Sequence, residues 1–225
     1  MHKRFEVDMT ALTTSTEIST FISEKLAEFS HLFTTSINSS GYLIINPINL
    51  DYYISYCINP KGLSTRMYYY TNGTTSYSSS NAYTINGNFF VDIYTNEENE
   101  TFTMFFDHNY YHRFCVTKDS NGKKQLMFGY DVEDVRIKAP DGNYAASNVF
   151  YRMGCSDTSK CYLFNVMKRS GYKIFGLSMI DTFNAALPVY LRCRNTCTID
   201  GEKYVVFEEP YSSSYCNVIL FKYTE

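Results

Sequence analysis

A chain of 225 residues, with 44% hydrophobic and 19% charged residues, is long and apolar enough to bury a full core, which excludes a disordered chain. Its formal net charge is −3 and its basic residues never cluster beyond pairs such as Lys123-Lys124 and Lys168-Arg169, which argues against nucleic acid as a partner, because phosphate contacts need a concentrated basic face. No stretch approaches the roughly 18 uninterrupted apolar residues of a membrane span, and Met1-His2-Lys3-Arg4-Phe5-Glu6-Val7-Asp8 lacks the apolar segment of a secretory signal, so no membrane partner is expected.

Residues 1–14 read as an extended N-terminal arm. Thr14, followed three residues later by Glu17, matches a capping box, in which each side chain satisfies a free backbone amide at a helix start. Ile18, Phe21, Ile22, Leu26, Phe29, Leu32 and Phe33 follow at helical spacing, with Glu24, Lys25 and Glu28 on the other side. The pattern predicts an amphipathic helix over residues 15–37, stopped within Ser36-Ile37-Asn38-Ser39-Ser40-Gly41. Such a stripe docks on the chain's own sheet or on a neighbouring subunit, since it only requires apolar surface to cover it.

Residues 41–225 read as a β-rich domain. Gly41–Asn46, Tyr52–Ile58, Thr65–Tyr70, Asn88–Thr95, Thr101–Phe106 and Tyr110–Thr117 are short, aromatic or β-branched, and punctuated by Asn, Gly, Ser and Pro. Asn72-Gly73, Asn86-Gly87, Asn121-Gly122, Asp141-Gly142 and Asp200-Gly201 supply the positive-φ residues of tight turns. The clearest hairpin runs from Val189–Ile199 through Asp200-Gly201 into Glu202–Glu208, and Tyr215–Tyr223 adds a last strand. Thr74-Thr75-Ser76-Tyr77-Ser78-Ser79-Ser80-Asn81 is expected to be an exposed loop, and Lys138-Ala139-Pro140-Asp141-Gly142-Asn143 reads as a hairpin loop, with a lobe junction near residues 138–148 as the alternative. The fold class is mainly β (α+β): an N-terminal amphipathic helix, then antiparallel sheets in a sandwich or barrel-like arrangement.

Catalytic patterns are not found. His108 and His112 would share a helix face, but their aromatic flanks favour strands, where positions four apart stand about 13 Å from each other, too far to share one metal. Cys155-x5-Cys161 and Cys193-x3-Cys197 miss the usual two-residue spacing of zinc ribbons. The cysteine count of seven is odd, and without a signal segment reduced buried thiols are expected rather than a disulfide framework. Cys115 has His112 nearby, yet no orienting carboxylate or oxyanion donor is identifiable. No nucleophile elbow, phosphate loop or dinucleotide fingerprint occurs, and Glu97, Glu98 and Glu100 read as a solvated hairpin tip. No catalytic, cofactor-binding or metal-binding residue is assigned, and no cofactor is expected.

Contact is the remaining class of work. The chain holds 22 Tyr and 17 Phe but no Trp, and tyrosine is common at interfaces because it offers much contact area for few rotatable bonds. AT-rich codon usage inflates the same residue without selection for binding. The candidate contact residues are Phe21, Phe29 and Phe33 of the helical stripe, with Tyr68, Tyr69, Tyr70 and Tyr77.

The order of features resembles a known group. An arm and the helix Thr16–Phe33 precede short aromatic strands; Asn109-Tyr110-Tyr111-His112-Arg113-Phe114-Cys115-Val116-Thr117-Lys118 lies in the middle. Leu187-Pro188-Val189-Tyr190-Leu191 and Ile199-Asp200-Gly201-Glu202-Lys203-Tyr204-Val205-Val206-Phe207 stand near the end. This arrangement resembles tailed-bacteriophage virion proteins of the tail, baseplate or neck, without a family-specific motif. The resemblance implies a non-enzymatic structural subunit, assembled in the host cytoplasm, with other virion proteins and copies of itself in a symmetric assembly as partners. The alternative is a receptor- or carbohydrate-binding β module on the tail tip, with a host receptor or glycan as partner.

Overall fold

A computed structural model of the chain describes residues 1–50, 52–59, 64–71, 76–84, 87–106, 112–118, 124–128, 150–157, 160–165, 178–180, 194–199, 201–208 and 217–225. They are mostly β, with antiparallel sheets and one N-terminal helix. Among them, no helix is long and apolar enough to cross a membrane.

The expected arm begins as a strand. β1 (His2–Val7) is extended, buries Phe5 and Val7, and is an edge strand beside β7 (Phe89–Asn96). A turn follows, in which Leu12 donates its amide to the Asp8 carbonyl at 3.2 Å. Helix α1 (Ser15–Leu26) then starts on the predicted capping box. Thr14 Oγ1 accepts from the Glu17 amide at 3.2 Å, and Glu17 Oε2 accepts from the Thr13 and Thr14 amides at 2.9 Å each.

The helix is shorter than the periodicity suggests. It passes into a 3-10 turn at Ala27–Phe29, and Phe33–Ile37 is strand β2, so residues 33–37 of the expected helix are extended. The apolar spacing is satisfied without a helix: Leu32 donates its amide to Phe29 at 2.9 Å, and Phe29, Leu32 and Phe33 are all buried. Beyond Phe33 the β-branched Thr34, Thr35 and Ile37 favour a strand.

Among the described residues thirteen further strands follow: β3 (Leu43–Pro47), β4 (Tyr52–Asn59), β5 (Ser64–Thr71), β6 (Ser76–Thr84), β8 (Thr101–Phe106), β9 (His112–Lys118), β10 (Lys124–Phe128), β11 (Phe150–Asp157), β12 (Lys160–Asn165), β13 (Ser178–Ile180), β14 (Thr196–Ile199), β15 (Glu202–Glu208) and β16 (Asn217–Tyr223). They form sheets in the orders β1-β7-β8-β9-β10, β2-β3-β4-β5-β6 and β13-β12-β11-β16-β15-β14. The segment expected as a serine-rich loop is largely β6, paired antiparallel with β5. A strand ladder satisfies the backbone of such a segment whatever its polarity. The predicted C-terminal hairpin is present from Thr196 onward: Ile199 opposes Glu202, and Gly201 holds φ +80°, the left-handed region its turn requires. Asp200, residues 189–193 and the loop or lobe junction at 138–148 lie outside the described residues.

Two compact units emerge: Met1–His2, Ile93–Met104 and Arg113–Glu225 form one, and Lys3–Asp92 with Phe105–His112 the other. In the first, Thr95 exchanges backbone hydrogen bonds with Met1 and its carbonyl also accepts from the Thr224 amide, and the His2 ring stacks on Tyr94 at 4.1 Å between centroids. Its core includes Ile93, Phe102, Phe114, Val205 and Phe221. In the second, Ile18, Ile22 and Leu26 of α1 are buried with Leu43 and Ile45 of β3, and α1 packs on β2, β3 and β4.

Candidate interaction face

The sheet β2–β6 has two distinct faces, and its register assigns each residue to one of them. Opposed residues of antiparallel strands share a face, and successive residues alternate. One row runs Thr35, Ile45, Ile54, Tyr69, Tyr77; a parallel row runs Ile37, Leu43, Tyr56, Met67, Ser79. This is the helix side, because Ser23 of α1 hydrogen-bonds Thr35 at 2.6 Å between their hydroxyls, and Ile45 and Leu43 are fully buried.

The other face carries the row Ser36, Ile44, Ser55, Tyr68, Ser78 across all five strands. Five strands at about 4.8 Å spacing make it roughly 19 Å wide. Beside this row Tyr53 opposes Tyr70, and Tyr70 opposes Ser76. Thr34, Ser36 and Asn46, on the same face, are exposed. Tyr53, Tyr68 and Tyr70 therefore occupy adjacent positions on the face away from α1, flanked by serines.

The seven candidate contact residues separate on this frame. Tyr68 and Tyr70 share the face away from the helix, while Tyr69 and Tyr77 are directly opposed on the helix side. Phe29 and Phe33 are 0% and 1% exposed, so the chain's own core uses their rings. Phe21 is half-buried, between the Phe5 ring at 6.2 Å and the Lys25 ammonium at 5.3 Å. Tyr53 was missed, although period-two alternation through Tyr52–Ile58 already separates it from its neighbours.

Several other chemistry-bearing residues are among those described. Arg4 grips the buried Asp92, with Nε 3.0 Å from Oδ1 and Nη2 3.2 Å from Oδ2. Glu100, at the β7–β8 hairpin tip, has φ +50° and stands 3.5 Å from Lys118 Nζ and 3.6 Å from Lys124 Nζ. Lys124 first, then Lys118, holds its carboxyl below the ordinary value. Cys115 is fully buried, and that burial pushes its thiol well above the usual range, away from the reactive thiolate. His112 opens β9, while His108 lies outside the described residues. Among the described residues, no group of three or more His, Cys, Asp and Glu is placed to hold a metal ion.

No family model matches the chain, and neither the curated proteins nor the solved structures hold a match to it.

Proposed function

We propose that this chain works by contact rather than by bond-making, as a structural subunit whose β2–β6 sheet binds a partner through the face away from α1. The observation that carries the reading is the adjacency of Tyr53, Tyr68 and Tyr70 on that face, interleaved with Ser55, Ser76 and Ser78. Tyrosine supplies broad, rigid contact area and serine adaptable hydrogen bonding, the pairing that binding surfaces favour. The likeness in arrangement to phage tail, baseplate and neck proteins supports a phage particle as the assembly.

The test is to purify particles from lysed host cells and label them with an antibody to this chain for negative-stain imaging. Label at one fixed position on the particle supports the proposal. Label confined to soluble host material overturns it.

The same three tyrosines favour a second reading, a glycan- or receptor-binding module of the tail tip, because aromatic residues adjacent on one sheet face also suit the apolar face of a sugar ring. Binding of the isolated monomer on a glycan array, lost on Tyr68→Ser, would select this reading over the first.

A further inference from the structure

Cys155 and Cys161 fit no zinc motif by spacing, yet the β11–β12 hairpin places them at directly opposed positions. Its register runs Met153 with Leu163, Gly154 with Tyr162 and Cys155 with Cys161. Opposed residues of an antiparallel pair share a sheet face, with Cα atoms about 4.5–5.5 Å apart. Disulfides need a Cα separation of about 4.4–6.8 Å, and the spacing of opposed residues falls within that range. The register slips between Cys155 and Asp157, so the regular ladder ends at the cysteine pair. A covalent link there holds the hairpin where its hydrogen bonds become irregular. In the described strand pairs the other cysteines stand opposite residues of other types: Cys57 opposes Arg66, Cys115 opposes Met127 and Cys197 opposes Tyr204.

We propose that Cys155 and Cys161 are a modification site that closes a reversible cross-strand disulfide, with a small-molecule disulfide such as glutathione disulfide as oxidant. One cysteine thiolate attacks a sulfur of glutathione disulfide, forming a mixed disulfide and expelling one glutathione thiolate. The opposed cysteine, as thiolate, attacks the protein sulfur of that mixed disulfide and expels the second. Two protein thiols are oxidised to one S–S bond, glutathione disulfide is reduced to two glutathiones, and the two protein protons pass to the departing thiolates. The loop closed is short, so the link gains little from chain entropy and stays open to reduction.

The test uses the full chain, reduced and then equilibrated in buffers of varied glutathione to glutathione disulfide ratio, natively and in urea. Free thiols are alkylated and the protein digested with trypsin, whose sites at Arg152, Lys160 and Lys168 place the two cysteines on separate peptides, Met153–Lys160 and Cys161–Lys168. The expected result is these two peptides disulfide-linked, with the link about tenfold or more harder to reduce in the native chain than in urea, because the register raises the effective thiol concentration. In Cys161→Ser, Cys155 should stop at the glutathione adduct. Both thiols alkylated at every ratio, pairing with any other cysteine, or equal stability in native and unfolded chains would each overturn the proposal.

Discussion

At the residue scale, the start of α1 rests on a reciprocal pair. Thr14 caps the Glu17 amide, and the Glu17 carboxylate accepts from the Thr13 and Thr14 amides. Thr14→Ala should cost about 1 kcal/mol, read as a lower urea midpoint with an unchanged denaturant slope. Glu17 gives this a pH signature. The Thr13 amide first, with the Thr13 hydroxyl and the Thr14 groups after it, holds its carboxyl below the ordinary value. A carboxyl depressed in the folded state stabilises fully above its unfolded pKa, about 4.3 for Glu, and loses that contribution as pH falls through the folded value. Stability should therefore drop on acidification below that range, and Glu17→Gln should shrink the difference between neutral and acidic denaturation curves. An unchanged difference would remove Glu17 from the account. The Arg4–Asp92 pair makes a sharper contrast. Asp92 is buried, so Arg4→Ala should cost about 1–3 kcal/mol, whereas Lys3→Ala, which breaks the exposed pair with Glu28, should cost about 0–1 kcal/mol. The capping box was legible because it is local. The pairing of Arg4 with Asp92, and of Glu100 with Lys118 and Lys124, was not, because strands distant in sequence must first be registered.

At the element scale, most strands stood out in the sequence: Tyr52–Ile58, Thr65–Tyr70 and Asn88–Thr95 fall within a residue of β4, β5 and β7, and Thr101–Phe106 matches β8. Others did not: the sequence offers no strand at β10, β11, β12 or β13, and it marks β1 as an arm, β2 as helix and β6 as a loop. The helix was read too far because Phe29, Leu32 and Phe33 suit a turn into a strand as well as they suit a helical stripe. β6 was read as a loop because serine has little to bury, while its backbone pairing with β5 is decided by the partner strand. Face membership was half legible. Alternation alone sets Tyr69 apart from Tyr68 and Tyr70, but it takes the Ser23–Thr35 bond and the burial of Leu43 and Ile45 to tell which face is inward. The faces should differ in energetics. Ile45→Ala, on the helix side, should cost about 2–4 kcal/mol. Tyr68→Ser and Tyr70→Ser, on the other face, should cost about 1 kcal/mol or less each. Urea melts of the three variants check the assignment, and a Tyr68 loss as large as that of Ile45 would mean that Tyr68 serves the chain's own core.

At the scale of the whole molecule, the face proposal requires a variant that folds and yet fails to bind. Tyr68→Ser/Tyr70→Ser meets the first requirement if the face away from α1 is not core, and its own urea melt verifies this. For the second, tyrosines at the centre of a contact contribute about 2 kcal/mol each when truncated, so losing both should weaken a single contact roughly a thousandfold. Repetition of the contact around a symmetric ring multiplies that penalty, since each copy loses it at every junction. Producing the double variant in place of the wild-type chain and quantifying it in purified particles should then show the folded protein left in the soluble fraction. Tyr69→Ser is the control from the opposite face: any deficit it shows should track its loss of stability and be relieved at lower temperature, whereas that of the Tyr68/Tyr70 variant should persist. Incorporation of the double variant at wild-type level would remove the β2–β6 face as the contact. The contact proposal would then rest on Phe21, the one aromatic of the helical stripe that is only half-buried.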